Sequence, residues 1–341
     1  MKNKLENSIK YFLNLKMRLI SLIIIEVIII YSKNKTLNEK GILFRSLNQD
    51  KFINNTNIFI VAHTDFSNNL TNQIYKILAD DPSQLKNKYN LQVFFAYKGK
   101  LFKMRKSYAE MSKLYYVYEL YKNGTISSKY IGLNHYRRYF NFSNEIPDFD
   151  KIFESYDIIL PDKRSFNMTL EEQYCSNHLC KILHEAINII KDIKPEYYQT
   201  AIESINAKEG YFYNIFIMKK KDFFKYCEFI YDILFEFDRR HNLTSDEDII
   251  NYLESNFPKE SIPTQTRIQG FLSERLSSIF FNHNFKRIKN VPLILIINTS
   301  DINKCYDKLN INFLIGLVIW TFLIIIKIIY YKKKYKKVLK S

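Results

Sequence analysis

The sequence predicts an α/β fold: a mixed, mostly parallel sheet with helices on both faces. Three observations carry that expectation. Short apolar runs alternate along the chain with longer segments whose apolar residues recur at helical spacing. Hydrophobic residues make up 47% and charged residues 25% of 341, the balance of a folded globular chain, which excludes disorder, collagen and a small disulfide scaffold. Only 7 Gly and 7 Pro are present, which argues against a fold built on a Gly-rich nucleotide loop.

The elements follow in order. Residues 57–62, ending at His63, read as a buried strand, and residues 68–79 as a helix. Residues 91–97 form a second strand. Residues 107–122 place Tyr108, Met111, Leu114, Tyr115, Tyr118 and Tyr121 at helical spacing. A third strand, 129–134, runs into His135-Tyr-Arg-Arg-Tyr-Phe140, and a fourth, 156–160, is closed by Pro161. Two helices are expected at 169–192 and 195–206, then a fifth strand at 211–218 leading into a helix at 220–237. A helix at 269–282 and a strand at 291–297 complete the body. Ligands of such sheets bind at the carboxyl ends of the strands. His63, His135 and Arg137 all fall at expected strand ends.

The net charge of +16 is concentrated at the termini: +5 over residues 1–50 and +7 over 311–341, against +4 over the 260 residues between. Nucleic acid is therefore not an expected partner. Residues 311–331 are apolar apart from Asn312 and Lys327, and at about 1.5 Å per residue they reach roughly the thickness of a bilayer core. Residues 19–31 are shorter and contain Glu26. The expected division is a basic cytosolic N-terminus (1–18), a signal-anchor helix (19–31) with a helix lying on the membrane surface as the alternative, a stem (32–56), the body (57–297), a linker (298–310), a transmembrane helix (311–331) and a basic cytosolic tail (332–341). This makes the chain an integral membrane protein flanked by terminal membrane helices. Eight Asn-x-Ser/Thr acceptors suit a lumenal body. A body on the cytosolic face is the alternative.

Two motif-like sets have a plainer reading. Asp246-Glu-Asp248 has an Asp-x-Asp form but follows Thr244-Ser245 and precedes Ile249-Ile250, so it reads as the acidic first turn of a helix. Cys175, His178, Cys180 and His184 fit no ordinary zinc-finger spacing and read as helical core residues. With Cys227 and Cys305 they allow one disulfide, which spacing cannot identify.

The segment Gly132-Leu-Asn-His-Tyr-Arg-Arg-Tyr-Phe140 ends a hydrophobic strand in one imidazole and two guanidiniums bracketed by aromatics. Arg offers fixed-fork donors suited to phosphate oxygens; the plain alternative is an Arg paired with a carboxylate among packed Tyr rings. Here the chain resembles the bacterial capsular and exopolysaccharide biosynthesis glycosyltransferase-like family, filed as a domain of unknown function, whose hallmark is Gly-Leu-x-His-Tyr-Arg-Arg-Tyr-Phe. The resemblance runs through residues 57–297 in the family's order. It takes in a first strand ending in His63, with Thr64 where Lys often follows, and the aromatic helix from Glu110 to Asn123, with Tyr116 and Tyr118 at its usual Trp positions. It continues through 156–161, then Gln173, Tyr174 and His178, and then 214–218 with 224–237. It closes on Arg267, Gly270, Phe271, Leu272, Glu274, Arg275 and Leu276.

The resemblance implies a GT-A-like single nucleotide-binding domain and a transferase acting on a nucleotide-sugar donor and a glycan or lipid-linked acceptor. GT-A sheets usually carry Asp-x-Asp for a divalent metal where this chain carries the basic hallmark. The expected roles are therefore these: His135, Arg137 and Arg138 on the donor diphosphate, Arg137 and Glu274 in catalysis with Glu274 as base, and His63, Asn214 and Arg267 on nucleotide or sugar. No metal ligands and no cofactor are expected, with Mn²⁺ or Mg²⁺ left open. Each residue has a plain structural alternative: a surface Glu–Arg pair for Glu274, a satisfied histidine for His63, a strand cap for Asn214. The alternatives in function are a phosphosugar transferase and a non-catalytic membrane-tethered glycan-binding protein.

Overall fold

The computed structural model describes residues 55–66, 70–142, 146–258 and 262–296. All of these but Ile296 fall in one compact unit spanning residues 38–295. Its elements are β1 (Thr56–Val61), β2 (Tyr75–Ala79), β3 (Val93–Phe95), α1 (Arg105–Tyr108), α2 (Glu110–Lys122), β4 (Tyr130–His135), β5 (Arg138–Phe140), α3 (Phe149–Ser155), β6 (Ile158–Leu160), β7 (Arg164–Ser165), α4 (Leu170–Cys175), α5 (Cys180–Ile193), α6 (Tyr198–Asn206), β8 (Glu209–Gly210), β9 (Phe216–Lys219), α7 (Lys220–His241), α8 (Asp246–Asn256), α9 (Ile262–Gln265), α10 (Ile268–Asn284), β10 (Ile288–Asn290) and β11 (Leu293–Leu295).

The main sheet runs β10-β6-β9-β4-β1-β2-β3, with β5 paired to β4 and β11 to β5. The β1–β2, β2–β3, β1–β4 and β6–β10 pairs are parallel; β9 runs against both β4 and β6. The expected mixed, mostly parallel sheet is therefore present. Strand β1 lies in the middle, covered on both faces. Ile58, Phe59 and Ile60 are fully buried, each contributing about 1.5–3 kcal/mol of burial, which is why its apolar run is continuous. Ile131 and Leu133 of β4 join the core formed with α2, α5, α7 and α10. Tyr130 faces the other way and stacks on Phe153 of α3 at 4.5 Å. Gly132 sits where β4 is most crowded: a Cβ there would meet Ile217 Cγ1 at 2.9 Å and Ile58 Cγ1 at 3.1 Å.

Strands β2 and β4 flank β1, and the chain reaches them by connections on opposite sides of it. That reversal places the carboxyl ends of β1 and β4 at a switch point, where open α/β sheets bind ligands. Val61 pairs with His135, so His63 emerges two residues beyond the same edge. Leu133 pairs with Phe216 in the antiparallel β4–β9 ladder. Two residues further along, the chain entering β9 brings Asn214, with Tyr213 next to it, beside His135.

Several expectations are corrected. Within the expected helix at 68–79, the described residues 70–79 are not helical: their second half is β2, because Ile74, Tyr75, Ile77, Leu78 and Ala79 are all buried, and short apolar runs do not separate the two periods. The helix expected at 107–122 breaks at Ala109, which has φ 52°, ψ −124°. Gly270 of α10 approaches that break, and a Cβ there would lie 3.0 Å from Ala109 Cβ. The helix expected at 169–192 splits into α4 and α5 around residues 176–179, where Cys175 and Cys180 form a disulfide. The strand expected at 211–218 starts only at Phe216, after Tyr213 and Asn214 at φ 74° and 52°.

The integral-membrane placement, with its lumenal or cytosolic-face body, is also corrected. Among the described residues no helix is long and apolar enough to cross a membrane. Helix α7 has 22 residues, but Asp222, Lys225, Glu228, Asp232 and Glu236 lie along it. The expected membrane helices at 19–31 and 311–331 lie outside the described residues.

Candidate functional site

Four segments converge at the carboxyl edge of β1 and β4: the β1 exit with His63, the β4–β5 turn with residues 135–138, the loop entering β9 with Tyr213 and Asn214, and the first half of α10 with Arg267 and Glu274. The N-terminus of α2, with Glu110, closes the group from beneath. Tyr136 packs its ring edge-on against His63, with centroids 5.0 Å apart. Arg137 lies over the Tyr136 ring at 5.0 Å and Arg138 over the Tyr213 ring at 4.2 Å. Among the described residues no carboxylate pairs with either guanidinium; ring faces hold them and leave their N–H donors available.

Tyr213 is the hub. Its carbonyl accepts from His135 Nε2 at 2.7 Å, its N–H donates to Glu274 Oε1 at 3.3 Å, and its hydroxyl accepts from Arg164 at 2.7 Å. A carbonyl only accepts, so Nε2 carries the proton of His135. Burial holds the His135 imidazole below its ordinary pKa, opposed by the nearby Glu110 carboxylate. His135 is thus a neutral ring that fixes Tyr213. Two consecutive residues with positive φ, one of them a Tyr, cost about 1–3 kcal/mol each and are held here by these bonds.

Asn214 is 1% exposed, and its amide is fully engaged. Nδ2 donates to Glu110 Oε1 and Ser273 Oγ, both at 2.9 Å, and Oδ1 accepts from Ser277 Oγ at 2.7 Å. It ties the β9 entry to α2 and α10 below the surface that a ligand would touch. Glu110 Oε2 lies 3.6 Å from Arg267, whose side chain is 53% exposed. Glu274, 26% exposed, has its carboxyl pushed up to about 7, first by burial and then by the Glu110 charge. Arg275 is buried beside it, donating to Gln173 Oε1 and lying 4.7 Å from the Phe212 ring. His63 is held below its ordinary pKa by burial and then by Lys113, Arg137, Arg267 and His135. Lys113 is itself buried on Asp80 at 2.7 Å, just past the end of β2.

The structure therefore brings His63, His135, Arg137, Arg138, Arg267 and Glu274 into one cluster and puts Asn214 beneath it. Sequence reasoning missed Glu110, Lys113, Asp80 and Tyr213. Glu110 and Lys113 face the cluster because the Ala109 break turns α2, and nothing in the sequence pattern marks that break. The residues at the end of β4 do not fit a divalent ion: the Asp-x-Asp position is basic, and Glu110 is already held by Asn214 and Arg267. A polar cavity of about 500 Å³ between Lys163, Glu203 and His283 shares no residue with this cluster.

Comparison with known proteins bears on what such a cluster does. Residues 57–285 match the family model described as "Domain of unknown function (DUF4422)". No curated protein matches. Among solved structures, the chain is similar to one titled as the apo structure of WbbM, a bifunctional glycosyltransferase. The two are 22% identical with a TM-score of 0.53, over 72% of this chain and 46% of that one. The chain thus spans about half the length of that protein, and the likeness is one of fold.

Proposed function

The chain belongs to the family of unknown function DUF4422, and from that premise we propose that it is a glycosyltransferase, moving a sugar from a nucleotide-sugar donor to a glycan or polysaccharide acceptor. The observation that carries this reading is the pair of guanidiniums at the switch point, Arg137 and Arg138, with no carboxylate partner among the described residues, and the Glu274 carboxyl, pushed up to about 7, held by the same Tyr213 that Arg138 rests on. The glycosyltransferase fold of the solved relative supports it.

In an inverting transfer the acceptor hydroxyl attacks the anomeric carbon as the bond from that carbon to the diphosphate oxygen breaks. The nucleoside diphosphate leaves with the bonding electrons. Arg137 and Arg138 stabilise the charge that develops on it, prepositioned by the Tyr136 and Tyr213 rings. The carboxylate of Glu274 takes the acceptor proton; a base with a pKa near 7 is half ionised at neutral pH and strong enough to accept it. The reacting sugar passes through an oxocarbenium-like state, as in glycoside hydrolysis. Arg267, the most exposed cation, extends the cradle, and His63 with Tyr136 offers an aromatic wall to the nucleotide or sugar. His135 acts as a positioning residue through the Tyr213 carbonyl.

The test is a thermal-shift and turnover screen of purified protein against UDP-, GDP- and CMP-sugars. Binding with sugar transfer is the expected outcome. Saccharide binding without nucleotide binding would replace this reading with a glycan-binding module. Complete, Mn²⁺-reversible loss of transfer in EDTA would remove the metal-independent form of the mechanism.

A further inference from the structure

Helix α4 ends and α5 begins around the turn at 176–179, and each helix presents two donor groups four residues apart on one side. From α4 these are Glu171 and Cys175; from α5, Cys180 and His184. The four converge. His184 Nε2 lies 2.5 Å from Glu171 Oε1 and 3.6 Å from Cys180 Sγ, and Cys175 and Cys180 are joined as a disulfide. The ligand atoms of Cys175, Cys180 and His184 all lie within 4.8 Å of one another, and among the described residues no other set of three such groups does so. The thiols are half-buried and His184 is exposed, so an ion has a route in from solvent.

We propose that, once the disulfide is reduced, Glu171, Cys175, Cys180 and His184 form a tetrahedral site for Zn²⁺. With ligand bonds of about 2.0–2.3 Å, tetrahedral ligand atoms stand roughly 3.3–3.8 Å apart. The Cys180–His184 distance already meets that figure, the two sulfurs move apart to it once the disulfide is broken, and the Glu171 carboxylate turns from His184 towards the sulfurs to complete the four. Two soft thiolates with an imidazole select Zn²⁺ over Mg²⁺ or Ca²⁺. The chemistry balances. A phosphine reductant takes the oxygen of a water molecule, and that water's two hydrogens end on the separated sulfurs. Zn²⁺ then displaces both protons as two Zn–S bonds form. The disulfide and the zinc site are thus two states of one clasp. The clasp matters to the cluster described above. It closes the turn that carries His178, stacked at 3.8 Å on Phe271, and it anchors the helix that carries Gln173, the acceptor of Arg275. The reading does not depend on the reaction proposed for the strand-end cluster.

The experiment is a Co²⁺ titration of the full chain after phosphine reduction, read by visible absorption. The expected result is a tetrahedral thiolate band at one equivalent per chain, lost on adding Zn²⁺ and absent from the oxidised protein. Cys175→Ser with Cys180→Ser, which leaves Cys227 and Cys305 in place, abolishes the band. His184→Ala and Glu171→Ala each weaken Co²⁺ binding at least 10-fold. No band from the reduced parent, or an unchanged band in the double-serine variant, overturns the proposal. Unaltered affinity in both His184→Ala and Glu171→Ala overturns the four-ligand site.

Discussion

Two short segments of this chain look like ligand motifs, and the fold treats them in opposite ways. At 246–248 the acidic residues are engaged. Asp246 accepts from the backbone N–H groups of Lys106 and Ser107 at 3.2 and 3.1 Å, docking α8 on α1. Asp248 accepts from Thr244 N and Oγ1 at 2.8 and 2.7 Å, which holds its carboxyl below the usual range, while Ser245 caps the helix. At 137–138 the guanidiniums rest on ring faces, and among the described residues they have no carboxylate partner. The difference teaches that the kind of charge does not make a site. What matters is whether neighbouring groups have already consumed it.

The largest expected effect falls on the basic segment. Arg137→Ala with Arg138→Ala should lower kcat/KM by about 10³-fold or more, with little change in melting temperature, because among the described residues neither side chain holds an ion pair. A large loss of stability with activity intact in the survivors would show that these charges are structural after all. Next is Glu274→Gln. It should reduce kcat by about 10²–10⁴-fold while donor binding persists. In the parent protein, kcat/KM for the proposed transfer should rise with pH through about 7, as the Glu274 carboxyl loses its proton. An acidic limb that survives in the Gln variant would assign it to another group.

A buried carboxyl away from the cluster sharpens the contrast. Asp238 is 6% exposed, between Tyr108 and Gln269, and burial pushes its carboxyl up to about 7. The folded protein therefore holds a proton that the unfolded chain releases near pH 4. Stability is greatest below that pH and falls as pH rises towards 7, by up to about 1.4 kcal/mol per unit. Asp238→Asn should remove this slope, as read by denaturant melts between pH 5 and 8, with activity retained. Gln269 Oε1, which has no partner, is then free to accept from the new amide. The smallest effect is expected at the acidic motif itself. Ser245→Ala should cost about 1 kcal/mol, and Asp246→Asn less, with turnover unchanged. Loss of transfer in Asp246→Asn at full stability would reinstate a ligand role for that turn.

Much of this was legible in the chain. The continuous apolar runs announced the central strands, because a strand covered on both faces leaves no polar alternation. The strand-end positions of His63, His135 and Arg137 followed from those runs. The helix start at Asp246 was legible because capping is a local interaction between near neighbours. The residue order also disclosed a family likeness, and the match over 57–285 places the chain in a family of unknown function, without bearing on the hallmark motif or the capsular assignment. Other features were not legible, for a common reason. Residues 68–79 read as helix because a short apolar run fits either period until a neighbouring strand fixes it. Cys175 and Cys180 looked like core residues because the break between α4 and α5 has no Gly or Pro to mark it.

The sequence by itself determined the alternation of elements, the mostly parallel sheet and which charges arrive at strand ends, since all of these follow from side chains close together in the chain. Only the tertiary structure decided which of those charges remain available. That depends on partners 60 to 140 residues away: Glu274 on Tyr213, Asn214 on Glu110, Asp246 on Lys106. The free energy of a charged group is set by the dielectric and the donors packed around it, and packing is a property of the folded chain.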